Sequence, residues 1–156
     1  PPEQCVGAPW DEFHADPEEA LARIVDAYRA MAREHDVVII DGLDFTDVAG
    51  NPELALNARV AANIGVPVLL VVSGQNDVED VVASVEVSMA EIADNHARTV
   101  AVVANKCLPE TRQAVGAALT AIERITSTTL PEVPLLAAPV VREVLDAVEG
   151  TLIAGD

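Results

Sequence analysis

Four β-branched apolar residues, Val37-Val38-Ile39-Ile40, run without a polar interruption and stop at Asp41-Gly42. A strand that is apolar on both faces must be covered on both faces. That is the position of a parallel strand inside an α/β sheet, not of a half-wet antiparallel one. Asp41 then sits at a carboxyl end. In open parallel sheets the loops leaving that edge diverge and leave a crevice where ligands bind, so Asp41 and Gly42 are the first candidate site residues. Two readings of the carboxylate stand. It marks where a buried strand reaches water, or it holds Mg²⁺, directly or through water, beside bound phosphates.

A chain of 156 residues is one domain's worth, and buries about two thirds of its extended surface on folding. The aromatics are confined to Trp10, Phe13, Tyr28 and Phe45, so the core is built from Val, Ala, Leu and Ile. That mix suits a parallel sheet with closely packed helices. Against 26 acidic residues stand 9 basic ones, for a formal net charge of −17. Such a field repels phosphodiester backbones and anionic lipid, which disfavours nucleic-acid and membrane-surface partners. The single lysine, Lys106, follows Asn105, so the phosphate-cradling pattern G-x-x-x-x-G-K-[ST] is absent from the chain. Cys5 and Cys107 have neither metal-ligand spacing nor the density of a disulfide scaffold, and read as reduced thiols. The longest apolar run, Val66 to Val72, contains Pro67 and is too short to span a bilayer. The expectation is a cytoplasmic protein.

In chain order, residues 1 to 15 form an irregular lead-in without periodicity. Asp16-Pro17-Glu18-Glu19 is a strong helix start, with a capping side chain, proline at the first helical position and acids in the first turn. Leu21, Ile24, Val25, Tyr28, Met31 and Ala32 then share one stripe, predicting a helix over about 17–34 that leads into the 36–41 strand. An acidic loop from Gly42 to Pro52 holds Asp44, Asp47, Gly50 and Asn51. An alanine-rich helix over 53–64, stopped by Gly65, precedes a second buried strand over 66–72. That strand ends in Ser73-Gly74 at the same carboxyl edge.

Residues 77–94 read as a helix with Val78, Val81, Val82, Val85, Met89 and Ile92 on one side. Thr99 to Ala104 is a third strand, ending in Asn105-Lys106. From Pro109 to about Ile125 the pattern is helical, with Ala114, Ala118, Ala121, Ile122 and Ile125 inward. Val133 to Leu136 is expected as a short fourth strand. Pro139 opens a last helix with a Val141, Val144, Leu145 and Val148 stripe, which Gly150 ends, and residues 150–156 read as the start of a linker. Strand alternating with helix at this spacing predicts right-handed βαβ units in a three-layer, doubly wound, mainly parallel sheet spanning residues 1–156 as a single domain.

Several dispersed motifs together resemble a known family. They are Glu3-Gln4-Cys5-Val6-Gly7, the helix from Asp16, Asp41-Gly42 followed by Asp44-Phe45-Thr46-Asp47, and the stretch Asn57 to Gly74. Val102-Val103-Ala104-Asn105-Lys106-Cys107 and Leu130 to Pro139, running on to Asp156, follow in the same order. They are similar to the N-terminal domain of long-form bacterial phosphate acetyltransferase, most of all to actinobacterial versions. That domain is itself similar to dethiobiotin synthetase, a P-loop fold. The resemblance implies an incomplete P-loop NTPase-like domain, a fragment whose first strand and phosphate loop lie upstream of Pro1. The acetyltransferase chemistry, with its coenzyme A and acetyl-CoA, would lie in a domain beyond Asp156.

The resemblance further implies a regulatory and assembly role without catalytic or metal-binding residues in this segment. Its partners would be the other domains of the same polypeptide and further copies in a homo-oligomer, and it would carry no cofactor of its own. By similarity to dethiobiotin synthetase, Asp41 takes the acidic position beside the phosphates, where that relative usually has Glu. Asn105 sits where its amide can read an adenine edge, and Lys106 would flank the base. Asn105 also has a plainer reading, as a cap on the loop after a buried strand. Two other functions remain open on the residues alone. One is a piece of a free-standing ATP-dependent ligase of the dethiobiotin synthetase kind; the other is an interaction module with no small-molecule site.

Overall fold

A computed structural model of the chain describes residues 15–43, 52–123 and 125–138, with Ala8 and single positions between 142 and 151. The acidic loop residues Asp44, Asp47, Gly50 and Asn51, nearly all of the lead-in and most of the helix expected from Pro139 lie outside the described residues.

Helix α1, Pro17–Glu34, starts as its sequence demands: the Asp16 carboxylate accepts a hydrogen bond from Glu19 N at 3.1 Å. Of its expected stripe only Leu21 is buried; Ala20, beside it, is buried against Leu56 of the next helix. Helix α2, Pro52–Ile64, closes on a left-handed Gly65 with φ 78°. Gly65 N donates to Ala62 O, and Val66 N to Ala61 O at 3.0 Å, which satisfies carbonyls the helix would leave unpaired. Three residues later strand β1, Val68–Ser73, begins.

Helix α3, Val78–Asp94, strand β2, Thr99–Cys107, helix α4, Arg112–Thr120, strand β3, Thr126–Pro131, and a single helical turn α5, Pro134–Ala137, complete the order. Among the described residues the sheet runs β1-β2-β3 with both pairings parallel. The α/β class and its parallel sheet are therefore as the β-branched runs dictate. Leu70 and Val72 from β1 and Val102 and Ala104 from β2 bury one face under Val81, Val85 and Ile92 of α3 and Val115 and Leu119 of α4. Leu54 and Ala58 of α2 join the same core.

Several expectations need correction. The 36–41 segment is not a buried strand: it pairs with nothing in the described sheet, and Val37 and Ile39 are 76% and 90% exposed. A β conformation is stabilised by its ladder and by cross-strand side-chain pairs, and among the described residues neither is present beside these residues. Nor is Val133 to Leu136 a strand. Pro134, with no N–H to give to a ladder and φ already near helical, opens α5 instead. The third strand of the sheet is the hydroxyl-rich Thr126-Ser127-Thr128-Thr129-Leu130-Pro131. Helix α4 is shorter than the 109–125 pattern, and its buried residues are Val115 and Leu119 at i, i+4. Ala114 is exposed and Ala118 only half-buried, while Ile122 and Ile125, past the helix end, still touch the core.

Candidate functional site

The strand ends on the carboxyl edge are tied to one another by a ring of hydrogen bonds. Ser73 of β1 stands opposite Asn105 of β2, and Cys107 opposite Pro131 of β3. Just past β1, Gly74 N donates to Asn105 O at 2.6 Å, and Gln75 Nε2 donates to Glu132 Oε1 at 3.0 Å. Glu132 N in turn donates to Cys107 O at 3.0 Å. The ring is closed covalently through Asn105-Lys106-Cys107. Gly74 is required at this point by close approach: a Cβ there would run into Cys107 Sγ and lie 3.1 Å from Cys107 Cα.

Asn105 and Lys106 thus lie together at the end of β2, as expected. Lys106 takes a left-handed backbone, φ 58°, within an irregularity of the β2–β3 register. That turn is supported by Asn105 itself, whose Oδ1 accepts from Lys106 N at 2.9 Å. The capping reading of Asn105 is therefore realised, and its Nδ2 group has no partner among the described residues.

Asp41 and Gly42 are held elsewhere, on α2. Leu43 N donates to Asn57 Oδ1 at 3.0 Å and Asn57 Nδ2 donates to Leu43 O at 2.8 Å, so one side-chain amide does for this segment what a neighbouring strand would. A Cβ on Gly42 would come within 2.9 Å of Asn57 Oδ1, which explains the small residue. Asp41 is exposed. Asp41-Gly42 and Asn105-Lys106 share no hydrogen bond among the described residues.

Other chemistry on this edge is restricted. Cys107 is fully buried and its Sγ lies 3.3 Å from Ala104 O as a donor. Burial pushes the thiol's pKa up, and the nearby Arg112 charge only partly offsets it, the reverse of what a nucleophilic cysteine needs. No group of three or more His, Cys, Asp or Glu placed to hold a metal occurs among the described residues. Two shallow depressions among the described residues lie away from the candidate residues. One, of about 210 Å³, is lined at the amino end of β1 and β2 by residues including Gly65, Pro67, His96 and Arg98. It is smaller than a usual ligand pocket.

A parallel sheet crossed by helices, with its polar strand ends gathered on the carboxyl edge, defines an α/β domain of P-loop NTPase-like architecture. The chain belongs to the AAA domain family, whose sequence pattern matches residues 1–141. It is similar to a phosphate acetyltransferase of Nitratidesulfovibrio vulgaris (strain Hildenborough), 30% identical over 87 residues. That match takes up 55% of this chain and 12% of the relative, so the chain corresponds to a small part of a much longer protein. No solved structure matches it.

No helix among the described residues is long and apolar enough to cross a membrane.

Proposed function

We propose that this chain is a non-catalytic regulatory and assembly segment of a phosphate acetyltransferase of the long, actinobacterial form. The parent enzyme interconverts acetyl-CoA and phosphate with acetyl phosphate and coenzyme A. The observation that carries the reading is the laced carboxyl edge. Its loops are bonded to one another through Gly74, Asn105, Gln75, Glu132 and Cys107, which suits a scaffold whose rim binds and transmits more than one that reacts. Asn105 and Lys106 at the end of β2, with Asp41 and Gly42 held apart from them on α2, are then the remnants of a nucleotide pocket. Acetyl transfer and its coenzyme A belong to another domain, and the assembly is a cytoplasmic homo-oligomer.

Two measurements test this. Calorimetric titration of the 156-residue chain with Mg-ATP is expected to give weak or no binding, because no phosphate loop is present to share the metal with Asp41; micromolar affinity overturns it. Deleting this segment from the full-length parent enzyme is expected to leave acetyl transfer in place while altering effector response or subunit assembly. Loss of turnover in a correctly assembled deletion enzyme would count against a non-catalytic role.

One observation favours an interaction role alongside regulation. The outer edge of β1 is unpaired among the described residues, with Leu69 and Val71 56% and 46% exposed on one face. An apolar strand edge of this kind is a ready template for another strand.

A further inference from the structure

Two stretches of backbone suited to a strand are left without a ladder among the described residues. One is the outer edge of β1, Val68–Ser73. The other is the run Val37-Val38-Ile39-Ile40, which has the β-branched side chains of a strand interior and yet stands largely in water. Inside one chain the two do not pair. The double hydrogen bond between Asn57 and Leu43 fixes the carboxyl end of the run on α2, and Ile39 projects away from the fold.

The charges at their ends match. Asp36 and Asp41 bracket the run, about 16 Å apart when it is extended. Beyond the amino end of β1 stands Arg98, whose carbonyl accepts from Val68 N at 2.8 Å. Beyond its carboxyl end stands Lys106, next to the Asn105 that faces Ser73. All four charged residues are exposed, and β1 itself carries no charge. In a chain with 26 acidic and 9 basic residues, a cation at each end of one bare edge is a local exception. An acid at each end of the run fits it in either strand direction.

We infer that the strand received by the β1 edge is Val37–Ile40 of a second copy, exchanged reciprocally about a two-fold axis so that each chain gives one strand and takes one. The inference rests on the interaction role proposed above for that edge and names its partner. A two-fold arrangement satisfies both unpaired stretches of both copies at once and leaves no open end from which a filament would grow. The area sets the strength. Val37, Ile39, Ile40, Leu69 and Val71 together leave about three aliphatic side chains' worth of surface in water, on the order of 300 Å² per chain. Two copies with their paired backbones then bury roughly 1,000 Å², the small end of specific interfaces, so the dimer is weak and concentration-dependent.

Sedimentation velocity of the 156-residue chain between about 5 and about 500 µM is expected to show monomer passing to dimer with a Kd on the order of 100 µM. Ile39→Lys spoils the strand that is given and Leu69→Glu the edge that receives it, both at exposed positions. Unchanged circular dichroism of each variant shows its fold to be intact. Each alone should associate at least about tenfold more weakly than the unsubstituted chain. An equimolar mixture of the two should dimerise nearly as well as the unsubstituted chain, because the mixed dimer keeps one native pairing and sets lysine against glutamate in the other. A mixture no stronger than its components, or an Ile39→Lys chain that dimerises undiminished, overturns the exchange while leaving the β1 edge as an interaction surface. An unsubstituted chain that stays monomeric to about 500 µM overturns that edge as a place of self-association altogether.

Discussion

Ser88 stands in α3 with its side chain fully buried, and its Oγ has no hydrogen-bond partner among the described residues. Replacing it with alanine isolates the cost of one orphaned hydroxyl. Removing a buried unsatisfied polar group returns about 1–3 kcal/mol, and alanine's better helix propensity adds about 0.5 kcal/mol. Against this, the lost oxygen leaves a void on the order of 10–15 Å³, which costs about 0.3 kcal/mol at ~24 cal/mol per Å³. The balance is a stabilisation of at least about 1 kcal/mol, a rise in Tm of roughly 2–4 °C for a chain of this size. Paired urea melts of Ser88→Ala and the parent chain measure it, and the slope of the transition should not change, because the surface exposed on unfolding is nearly the same. A variant destabilised by more than about 0.5 kcal/mol would refute the reasoning. It would mean that the hydroxyl bonds a carbonyl of its own helix, as serines in helices often do.

Gly74→Ala forces a methyl group against Cys107 Sγ and 3.2 Å from Asn105 O, and is expected to cost about 1–3 kcal/mol in the same melts as the strand ends part. His96, left-handed at φ 64° where α3 ends, pays a steric penalty that glycine does not. His96→Gly should therefore stabilise by about 1 kcal/mol in a thermal melt, and a loss of stability would contradict the strain. The buried Cys107 thiol has its pKa raised by burial. In a Cys5→Ser background, stability should hold at neutral pH and fall as pH rises past the unfolded thiol value of about 8.5, because only the unfolded chain gains by ionising there. The same variant should react with a thiol reagent only after denaturant is added; a fast native reaction would show Cys107 to be accessible.

How much of this could be read from the residues divides by range. Local signals were reliable: Asp16-Pro17-Glu18-Glu19 does start a helix and Gly65 does end one, because caps act within one turn. The β-branched cores of β1 and β2 were equally plain. β3 was missed because Thr126, Thr128 and Thr129 satisfy the backbone demand for branched side chains without the hydrophobicity that usually announces it. Val37 to Ile40 misled for the opposite reason. The side chains specify a strand interior, but pairing depends on a neighbour that composition does not reveal. Asn105 and Lys106 fell where the end of β2 put them. The bonds around them were beyond reach, since Gln75 meets Glu132 across 57 positions and Asn57 meets Leu43 across 14. Only the smallness of Gly42 and Gly74 hinted that something approached closely.

The two borders of the sheet differ in chemistry, and that makes its growth one-sided. Hydroxyls along β3 keep that margin wetted and discourage a newcomer, whereas Leu69 and Val71, beside a β1 backbone with no partner among the described residues, offer an oily landing strip. Handled at high concentration, the molecule should therefore stick through the β1 margin first. Placing a lysine at Leu69 would be the simplest way to keep it in solution.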